Sequence, residues 1–243
     1  MAKTAAMIPA RYQATRFPAK LMQMLGDKTV IRHTYENTVA TGLFDEVWVV
    51  TDSEIIYNEI KSHGGRVLMS QKEHESGSDR IAEAVADLDI DIILNVQGDE
   101  PFINQPALAA LLNVFKGEEG AKVRVASLMQ IITEEEKIQN PNVVKVLVDL
   151  NMNSLLFTRS VTPYRRDKEA PIHYYHHIGV YAFRKEALMQ FTQWPMTPLE
   201  AVEKIECLRY LEHGIPLKMV LTEFKGVGID TPDDLVRAKQ LLD

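Results

Sequence analysis

The sequence predicts an α/β fold in which helices flank a mostly parallel β-sheet. Two observations support this prediction. The 243 residues are 46% hydrophobic and carry a formal charge of −7, which is typical of a soluble globular chain. Short apolar runs also alternate with helical segments, and that alternation favours parallel strands joined by crossover helices. We therefore expect residues 1–243 to form a single α/β domain.

Strands and helices alternate through the first hundred residues. The runs predicted as strands are residues 4–8, 46–51, 66–69 and 92–97. The segments predicted as helices are residues 29–41, 53–63 and 78–88. Ligands bind beyond the carboxyl ends of the strands in such sheets. Functional residues are therefore expected just after the strands, in segments 9–20, 51–52 and 97–101.

The pattern changes after about residue 140. Segments 143–149 and 154–158 flank a turn and predict a hairpin, followed by a polar loop over 159–171. Further strands are predicted at 177–183 and 217–221, and a helix at 199–213. A last helix is predicted to begin after Thr231, because Pro232 and two acids follow this N-cap residue. A smaller mixed β/α portion is therefore expected in the second half.

The charge balance excludes several partners. The chain has 27 Lys and Arg against 34 Asp and Glu, so we expect it to bind neither nucleic acid nor a membrane surface. No apolar run approaches the roughly 18 residues of a membrane span. The single cysteine, Cys207, is compatible with a reducing compartment, and we predict a cytoplasmic protein. A polyanionic ligand then requires a local basic cluster.

Such a cluster follows the first strand. Arg11, Arg16 and Lys20 place three cations within ten residues, in a loop that contains no glycine. The loop therefore lacks both glycine-rich phosphate-binding fingerprints, which argues against a dinucleotide oxidoreductase. Side chains would have to hold a phosphate here. The residues alone leave open a solvated basic loop that balances nearby acids.

Two acids stand where predicted strands end. Asp99 follows the fourth strand, and Asp230 lies in a turn before the last helix. One or two carboxylates together with substrate phosphates form the usual Mg²⁺ site. Asp99 is therefore a candidate magnesium ligand and Asp230 its candidate partner, although the residue types alone favour an ordinary capping acid at Asp230.

The histidines near residue 177 suggest a polar binding face. Strand alternation places His177, Gly179 and Tyr181 on one face and His176 on the other. Adjacent strand residues diverge and no cysteine is near, so this pattern does not favour structural zinc. Cys207 has no base in its sequence neighbourhood and is not expected to be a nucleophile.

Helical spacing in the predicted helix at 199–213 sets Glu203 and Glu206 close together on one face. Such a pair could present a carboxylate to a ligand. The alternative for Glu206 is an exposed pair with Arg209, three residues further along the helix.

Five ordered motifs resemble the bacterial CMP-Kdo synthetases, also called 3-deoxy-manno-octulosonate cytidylyltransferases. The motifs are IPARY with TRFP and Lys20, SGSDR at 76–80, NVQGDEP at 95–101, NPNVVK at 140–145 and GIDTPDD at 228–234. The resemblance covers nearly the whole chain. It implies a Rossmann-like fold of the nucleotide-diphospho-sugar transferase type. Residues 1–130 would be mainly the nucleotide-binding half, and residues 131–243 mainly the sugar-binding and dimerisation half.

The resemblance also implies a reaction. CTP and the acidic eight-carbon sugar Kdo would give CMP-Kdo and pyrophosphate with Mg²⁺, for lipopolysaccharide biosynthesis, in a homodimer. Arg11, Lys20 and Asp99 would be catalytic, and Asp99 and Asp230 would hold magnesium. The nucleotide-binding positions implied are Pro9, Ala10, Arg11, Arg16, Lys20, Ser76, Gly77, Arg80 and Gln97. The sugar-binding positions implied are Gln97, Arg159, His177, Tyr181 and Glu206.

The chain departs from the family pattern in the basic loop. The family commonly shows Leu-Pro-Gly-Lys-Pro-Leu where this chain has Ala19 in place of glycine and Leu21 in place of the second proline. Alanine disfavours positive φ, so we expect the loop to lie differently. The alternatives left open are a cytidylyltransferase for an amino-Kdo or another ulosonic acid, and a non-catalytic nucleotide-binding protein on the same fold.

Overall fold

The computed structural model describes residues 2–13, 17–72, 74, 76–223 and 228–242. In chain order, the strands are β1 (Thr4–Ala10), β2 (Met24–Leu25), β3 (Lys28–Thr29), β4 (Glu46–Thr51), β5 (Val67–Met69), β6 (Ile92–Asn95), β7 (Val125–Ile132), β8 (Lys145–Val148), β9 (Ser154–Thr158), β10 (Tyr174–Arg184) and β11 (Lys218–Leu221). The α-helices are α1 (Val30–Ala40), α2 (Glu54–Ser62), α3 (Gly77–Val85), α4 (Gln105–Asn113), α5 (Gly117–Lys122), α6 (Glu135–Gln139), α7 (Lys185–Phe191), α8 (Pro198–Glu203), α9 (Leu208–Glu212) and α10 (Pro232–Lys239).

The chain forms two compact units. The first unit comprises Met1–Leu108 and Lys225–Asp243, and the second comprises Ala109–Phe224. The end of the chain thus belongs to the first unit and follows the second unit in sequence. There the backbone N–H of Ile229 donates a hydrogen bond to the carbonyl of Asp99 at 2.9 Å. Sequence order alone cannot show such a return.

A parallel sheet forms the core of the first unit and confirms the predicted fold class. Strand β1 pairs in parallel with β4 on one side and β6 on the other, and β4 pairs in parallel with β5. The side chains of residues 5–8 in β1 are fully buried, as expected for a strand covered on both faces. The order of the strands reverses around β1, and a crevice at their carboxyl ends is the usual ligand site of such sheets.

The helices of the first unit begin where the sequence predicts, at hydroxyl N-caps. The Thr29 hydroxyl accepts a hydrogen bond from the N–H of Arg32 at the start of α1. The Ser76 hydroxyl accepts one from the N–H of Asp79 at the start of α3. Helix α10 begins with a capping box between Thr231 and Asp234. Each capping side chain accepts a hydrogen bond from an N–H of the first helical turn, which has no acceptor within the helix.

The second unit contains a mixed sheet. Strand β10 pairs antiparallel with β7 and β8, β8 pairs antiparallel with β9, and β11 runs parallel to β7. The β8–β9 pair confirms the predicted hairpin. Strand β10 is longer than predicted, because its pairing with β7 begins at Tyr174.

The prediction of one continuous helix over 199–213 is wrong. Helix α8 ends at Glu203, and Lys204 adopts a left-handed conformation with φ 54° and ψ 46° before α9 begins at Leu208. This conformation ends a helix. Glu203 and Glu206 therefore do not share a helical face, and Glu206 lies in the turn between the two helices. Throughout the part of the chain that the structure describes, no helix is both long enough and apolar enough to cross a membrane.

Candidate active site

A cavity of about 290 Å³ opens at the carboxyl ends of the parallel strands in the first unit. Apart from Arg16, which lies outside the described residues, every residue predicted to bind the nucleotide or magnesium lines this cavity. The predicted residues that line it are Pro9, Ala10, Arg11, Lys20, Ser76, Gly77, Arg80, Gln97, Asp99 and Asp230. Four further residues line the cavity that were not predicted individually to bind a ligand: Phe17, Leu21, His74 and Gly98.

Two glycines allow the cavity walls to approach the end of β1. A Cβ added at Gly98 would lie 3.1 Å from the carbonyl oxygen of Pro9, and one added at Gly77 would lie 3.3 Å from its Cγ. Both distances are tighter than ordinary van der Waals contact. The turn after β6 and the start of α3 can therefore lie against the loop that follows β1.

Lys20 joins the two candidate magnesium ligands. Its ammonium donates hydrogen bonds to the carboxylate of Asp99 and, at 2.9 Å, to that of Asp230. Burial works to lower the pKa of Lys20, but the two carboxylates outweigh it and raise the pKa above its ordinary value. Lys20 is therefore cationic at neutral pH, and its single charge faces two carboxylates.

Glu100 adds to the acidic character of this region. Burial raises the pKa of Glu100 to about 7, and the nearby carboxylates of Asp99 and Asp230 add to the increase. Three acidic side chains therefore lie close together beside the cavity.

Arg80 is bound to protein groups as well as lining the cavity. Its side chain is 5% exposed, and its guanidinium donates to the carbonyl of Ala10 and to the carboxylate of Asp52, both at 2.5 Å. These bonds connect α3 to the ends of β1 and β4. Arg80 therefore positions the start of the basic loop, and its contact with a nucleotide stays a prediction.

His74 is the most informative of the missed residues. Its side chain is 3% exposed, and its Nε2 lies 2.5 Å from a carboxylate oxygen of Glu83 in α3. The pair fixes the segment before Ser76 to the helix that follows it. A histidine nine residues before a glutamate matches neither helical nor strand periodicity, so no sequence pattern predicts this contact.

The basic loop retains the conformation that a glycine would favour. Ala19 lies at φ 52° and ψ 31°, in the left-handed region, and its carbonyl accepts a hydrogen bond from the N–H of Met22 at 2.9 Å. Ala19 thus adopts the positive φ that alanine disfavours, at a position where the family pattern has glycine. Leu21, in place of the family's proline, is 4% exposed and fills the space below the cavity.

The second unit contains the residues predicted to bind a sugar, apart from Gln97. Arg159 follows β9, and its guanidinium donates to the carbonyls of Glu203 at 2.7 Å and Pro141 at 3.0 Å. Lys145, only 1% exposed, donates to the Arg159 carbonyl at 2.7 Å. The Glu203 carboxylate accepts from the N–H of Arg159 at 3.0 Å. Carbonyl acceptors carry no charge, so the Arg159 guanidinium keeps its net positive charge.

His177 and Tyr181 form a second group. Their ring centroids are 5.4 Å apart, and the ring of Phe157 lies 4.7 Å from that of His177. Burial, together with Cys207 and Glu206, raises the pKa of the Tyr181 hydroxyl well above its ordinary value. Glu206 thus lies close to Tyr181. Burial likewise raises the pKa of the Cys207 thiol, which agrees with the prediction that this thiol is not a nucleophile.

Comparisons with known proteins identify the family of this chain. The model of the cytidylyltransferase family matches residues 5–220. The 3-deoxy-manno-octulosonate cytidylyltransferase of Flavobacterium johnsoniae is 60% identical over 240 residues, covering 99% of this chain and 98% of that protein. The protein of the same name from Christiangramia forsetii is 57% identical over 237 residues, covering 98% and 96%.

Solved structures give the same result. The structure of CMP:2-keto-3-deoxy-manno-octonic acid synthetase complexed with CTP matches with a TM-score of 0.92 at 33% identity, over 99% of this chain and 98% of that one. The 4-diphosphocytidyl-2C-methyl-D-erythritol synthase of Anaerococcus prevotii matches with a TM-score of 0.64 at 17% identity, which shows the fold alone. The chain belongs to the cytidylyltransferase family of nucleotidyltransferases, among the CMP-Kdo synthetases.

Proposed function

We propose that this enzyme transfers CMP from CTP to 3-deoxy-manno-octulosonate and releases pyrophosphate. The observation that supports this most directly is the cavity at the ends of the parallel strands, where Arg11, Lys20 and two carboxylates lie together. Such a set suits a triphosphate and its counter-ion. The relatives named for this reaction match over nearly their whole length.

Arg11 and Lys20 supply positive charge to the triphosphate. Arg11 is exposed at the mouth of the cavity, directly after β1, where its planar guanidinium can pair with phosphate oxygens. Lys20 is held in place by two carboxylates, so its ammonium needs little reordering when phosphate binds. Charge that develops on the phosphoryl group in the transition state is then stabilised by groups already in position.

The carboxylates fit a magnesium ion. Asp99 and Asp230 both accept hydrogen bonds from the Lys20 ammonium, so the two carboxylates lie close enough together to share one cation. Both groups are hard oxygen ligands, and two carboxylates with substrate phosphates are the usual Mg²⁺ donors. Among the residues whose placement is described, no cluster of three or more His, Cys, Asp or Glu side chains suits a metal ion, so phosphates and water must complete the coordination. A bound Mg²⁺ would neutralise charge on the reacting phosphate and lower the pKa of the attacking hydroxyl.

The acceptor sugar is assigned to the second unit. Arg159 keeps a net positive charge that suits the sugar carboxylate, while His177, Tyr181 and Glu206 offer polar groups to its hydroxyls. The sugar's anomeric hydroxyl would attack the α-phosphorus, with pyrophosphate as the leaving group. Catalysis then depends mainly on positioning and on neutralising charge.

A panel of nucleotides and sugars tests the proposal. The full chain with Mg²⁺ is given CTP, UTP, ATP or GTP, each with Kdo, amino-Kdo or a nine-carbon ulosonic acid, and pyrophosphate is measured. We expect the fastest release with CTP and Kdo. Faster release with amino-Kdo or another acid would replace the sugar in the proposal. Calorimetric binding of CTP with no turnover of any sugar would support the non-catalytic alternative.

We also infer that the enzyme acts in the cytoplasm as a homodimer and supplies activated sugar for lipopolysaccharide. The family resemblance supports the homodimer and the role in lipopolysaccharide synthesis, and the single cysteine is compatible with the cytoplasm. Light scattering of the purified chain tests the assembly, and a monomer mass at micromolar concentration would contradict the homodimer.

A further inference from the structure

Strand β10 contains a bulge opposite Ser127. Ile178 pairs with Leu128 and Tyr181 pairs with Ser127, so the register of β10 shifts by two residues against β7 at this point. Residues four apart in a regular strand are separated by about 13 Å. The bulge shortens this distance, which is why the rings of His177 and Tyr181 can lie 5.4 Å apart, centroid to centroid.

The hydroxyl of Ser127 sits at the centre of this bulge. Ser127 is fully buried, and its Oγ lies 3.0 Å from the carbonyl oxygen of Ile178 and 2.9 Å from that of Val180. The same Oγ lies 3.0 Å from Nε2 of His177. One hydroxyl therefore connects both ends of the bulge to the imidazole ring.

The donors and acceptors around His177 are compatible with one tautomer of its ring. Carbonyl oxygens only accept, and a serine hydroxyl has a single hydrogen to donate. The carbonyls of Ile178 and Val180 must share that hydrogen. If the hydroxyl donated it elsewhere, the lone pairs of Oγ and of both carbonyl oxygens would face each other at about 3 Å. The hydroxyl oxygen must therefore accept from His177, so the imidazole proton is on Nε2.

The other ring nitrogen then has a lone pair to offer. Within the described ranges, no hydrogen-bond partner contacts Nδ1 of His177. The ring is 7% exposed and packs edge-on against Phe157. Burial, reinforced by His176, lowers the pKa of His177 to about 3, so the ring is neutral at physiological pH. A neutral imidazole with Nε2 occupied can act as an acceptor through Nδ1.

We propose that Ser127 is a positioning residue for the acceptor sugar: its hydroxyl closes the β10 bulge and fixes His177 as the Nε2–H tautomer, leaving Nδ1 to accept a hydrogen bond from a hydroxyl of a polyhydroxy acid. This inference rests on the proposed function for the identity of the ligand. The tautomer and the bulge do not depend on it.

The tautomer is measured in the ligand-free full chain. Long-range ¹H–¹⁵N correlation spectra of histidine-labelled protein distinguish the two neutral forms, and the H177Q variant assigns the signal among the seven histidines. We expect a neutral Nε2–H ring for His177 from pH 5 to 8. A ring with its proton on Nδ1, or a charged ring, would overturn the proposal, and this measurement needs no Ser127 variant to fold.

Kinetics separate positioning from a purely structural role. S127A should raise the KM for the sugar about tenfold, the equivalent of one hydrogen bond, with the KM for CTP within twofold of the wild type. S127T keeps the hydroxyl and should retain the wild-type value.

Ser154 provides the matched control, because it is also buried in the second unit and its hydroxyl accepts a hydrogen bond from the N–H of Leu217 at 2.8 Å. S154A should lower stability without changing the KM for the sugar.

The outcomes are distinct. An unchanged KM for the sugar in S127A, or an equal rise in S154A, would overturn the positioning role. A wild-type enzyme that turns over no ulosonic acid would overturn the proposed function and the sugar's role here, while the spectra would still decide the tautomer.

Discussion

Substituting Ala19 with glycine should stabilise the protein, which is the reverse of the usual effect of this change. Ala19 lies at φ 52° in the loop that ends at Lys20. A left-handed conformation costs a residue with a Cβ about 1–2 kcal/mol. Glycine removes that cost, but it also makes the unfolded chain more flexible, which lowers the free energy of unfolding by about 0.4–1 kcal/mol. Loss of the half-buried Ala19 methyl group lowers the free energy of unfolding by roughly a few tenths of a kcal/mol more.

The net expectation for A19G is a gain of about 0.5 kcal/mol in the free energy of unfolding. A chain of this size should then melt about 1–2 °C higher. Urea unfolding of the full chain measures the change. Ala84 is the matched control, because it is also half-buried in the first unit but lies in the helical backbone of α3. A84G should lose about 1 kcal/mol. If A19G is destabilised as much as A84G, the left-handed strain at residue 19 is refuted.

Three other substitutions give further tests. D99N should reduce pyrophosphate release at least about 100-fold. Its melting temperature should stay near that of the wild type, because Lys20 still pairs with Asp230. D87N, at an exposed carboxylate, is the control, and near-normal turnover of D99N would remove Asp99 from the metal site. The pKa of His177 is lowered from 6.5 to about 3, so the unfolded chain binds a proton between pH 6.5 and 3 that the folded chain does not. The free energy of unfolding should therefore fall as pH drops below about 6.5, by up to about 1.4 kcal/mol per pH unit from this group, and H177Q should flatten that slope; equal slopes would contradict the buried neutral ring. R80M should lower the free energy of unfolding by about 2 kcal/mol, since the Ala10 carbonyl and the Asp52 carboxylate lose a charged donor. Urea unfolding measures the change. A difference within about 0.5 kcal/mol, the size expected for surface substitutions, would contradict the prediction.

The local signals in the sequence were sufficient for the central strands of the first unit and the helices that join them. Buried apolar runs separated by N-capped helices predicted β1, β4 and β6 and the helices between them. The carboxyl-end rule then placed Lys20, Asp99 and Gln97 at one cavity, because parallel strands end at the same edge of a sheet. These inferences use only nearest neighbours in sequence and the direction of the strands.

Features set by tertiary contacts could not be predicted. The break between α8 and α9 depends on Lys204 adopting a positive φ, which lysine disfavours on its own. The Glu203 carboxylate bonds to the Thr158 hydroxyl and the Arg159 N–H at the end of β9, and no helical periodicity reveals that contact. The bulge in β10 is likewise invisible to strand alternation. Alternation placed His177 and Tyr181 on one face, but it gave no reason for their rings to meet.

The stoichiometry of the complete reaction tests the central claim most directly. The full chain is supplied with CTP, Mg²⁺ and Kdo, and pyrophosphate and the nucleotide-linked sugar are quantified together. We predict one CMP-Kdo for each pyrophosphate released, and no pyrophosphate when the sugar is omitted. Pyrophosphate released without a CMP-linked sugar, or no release with any ulosonic acid, would contradict sugar nucleotidyl transfer by this enzyme.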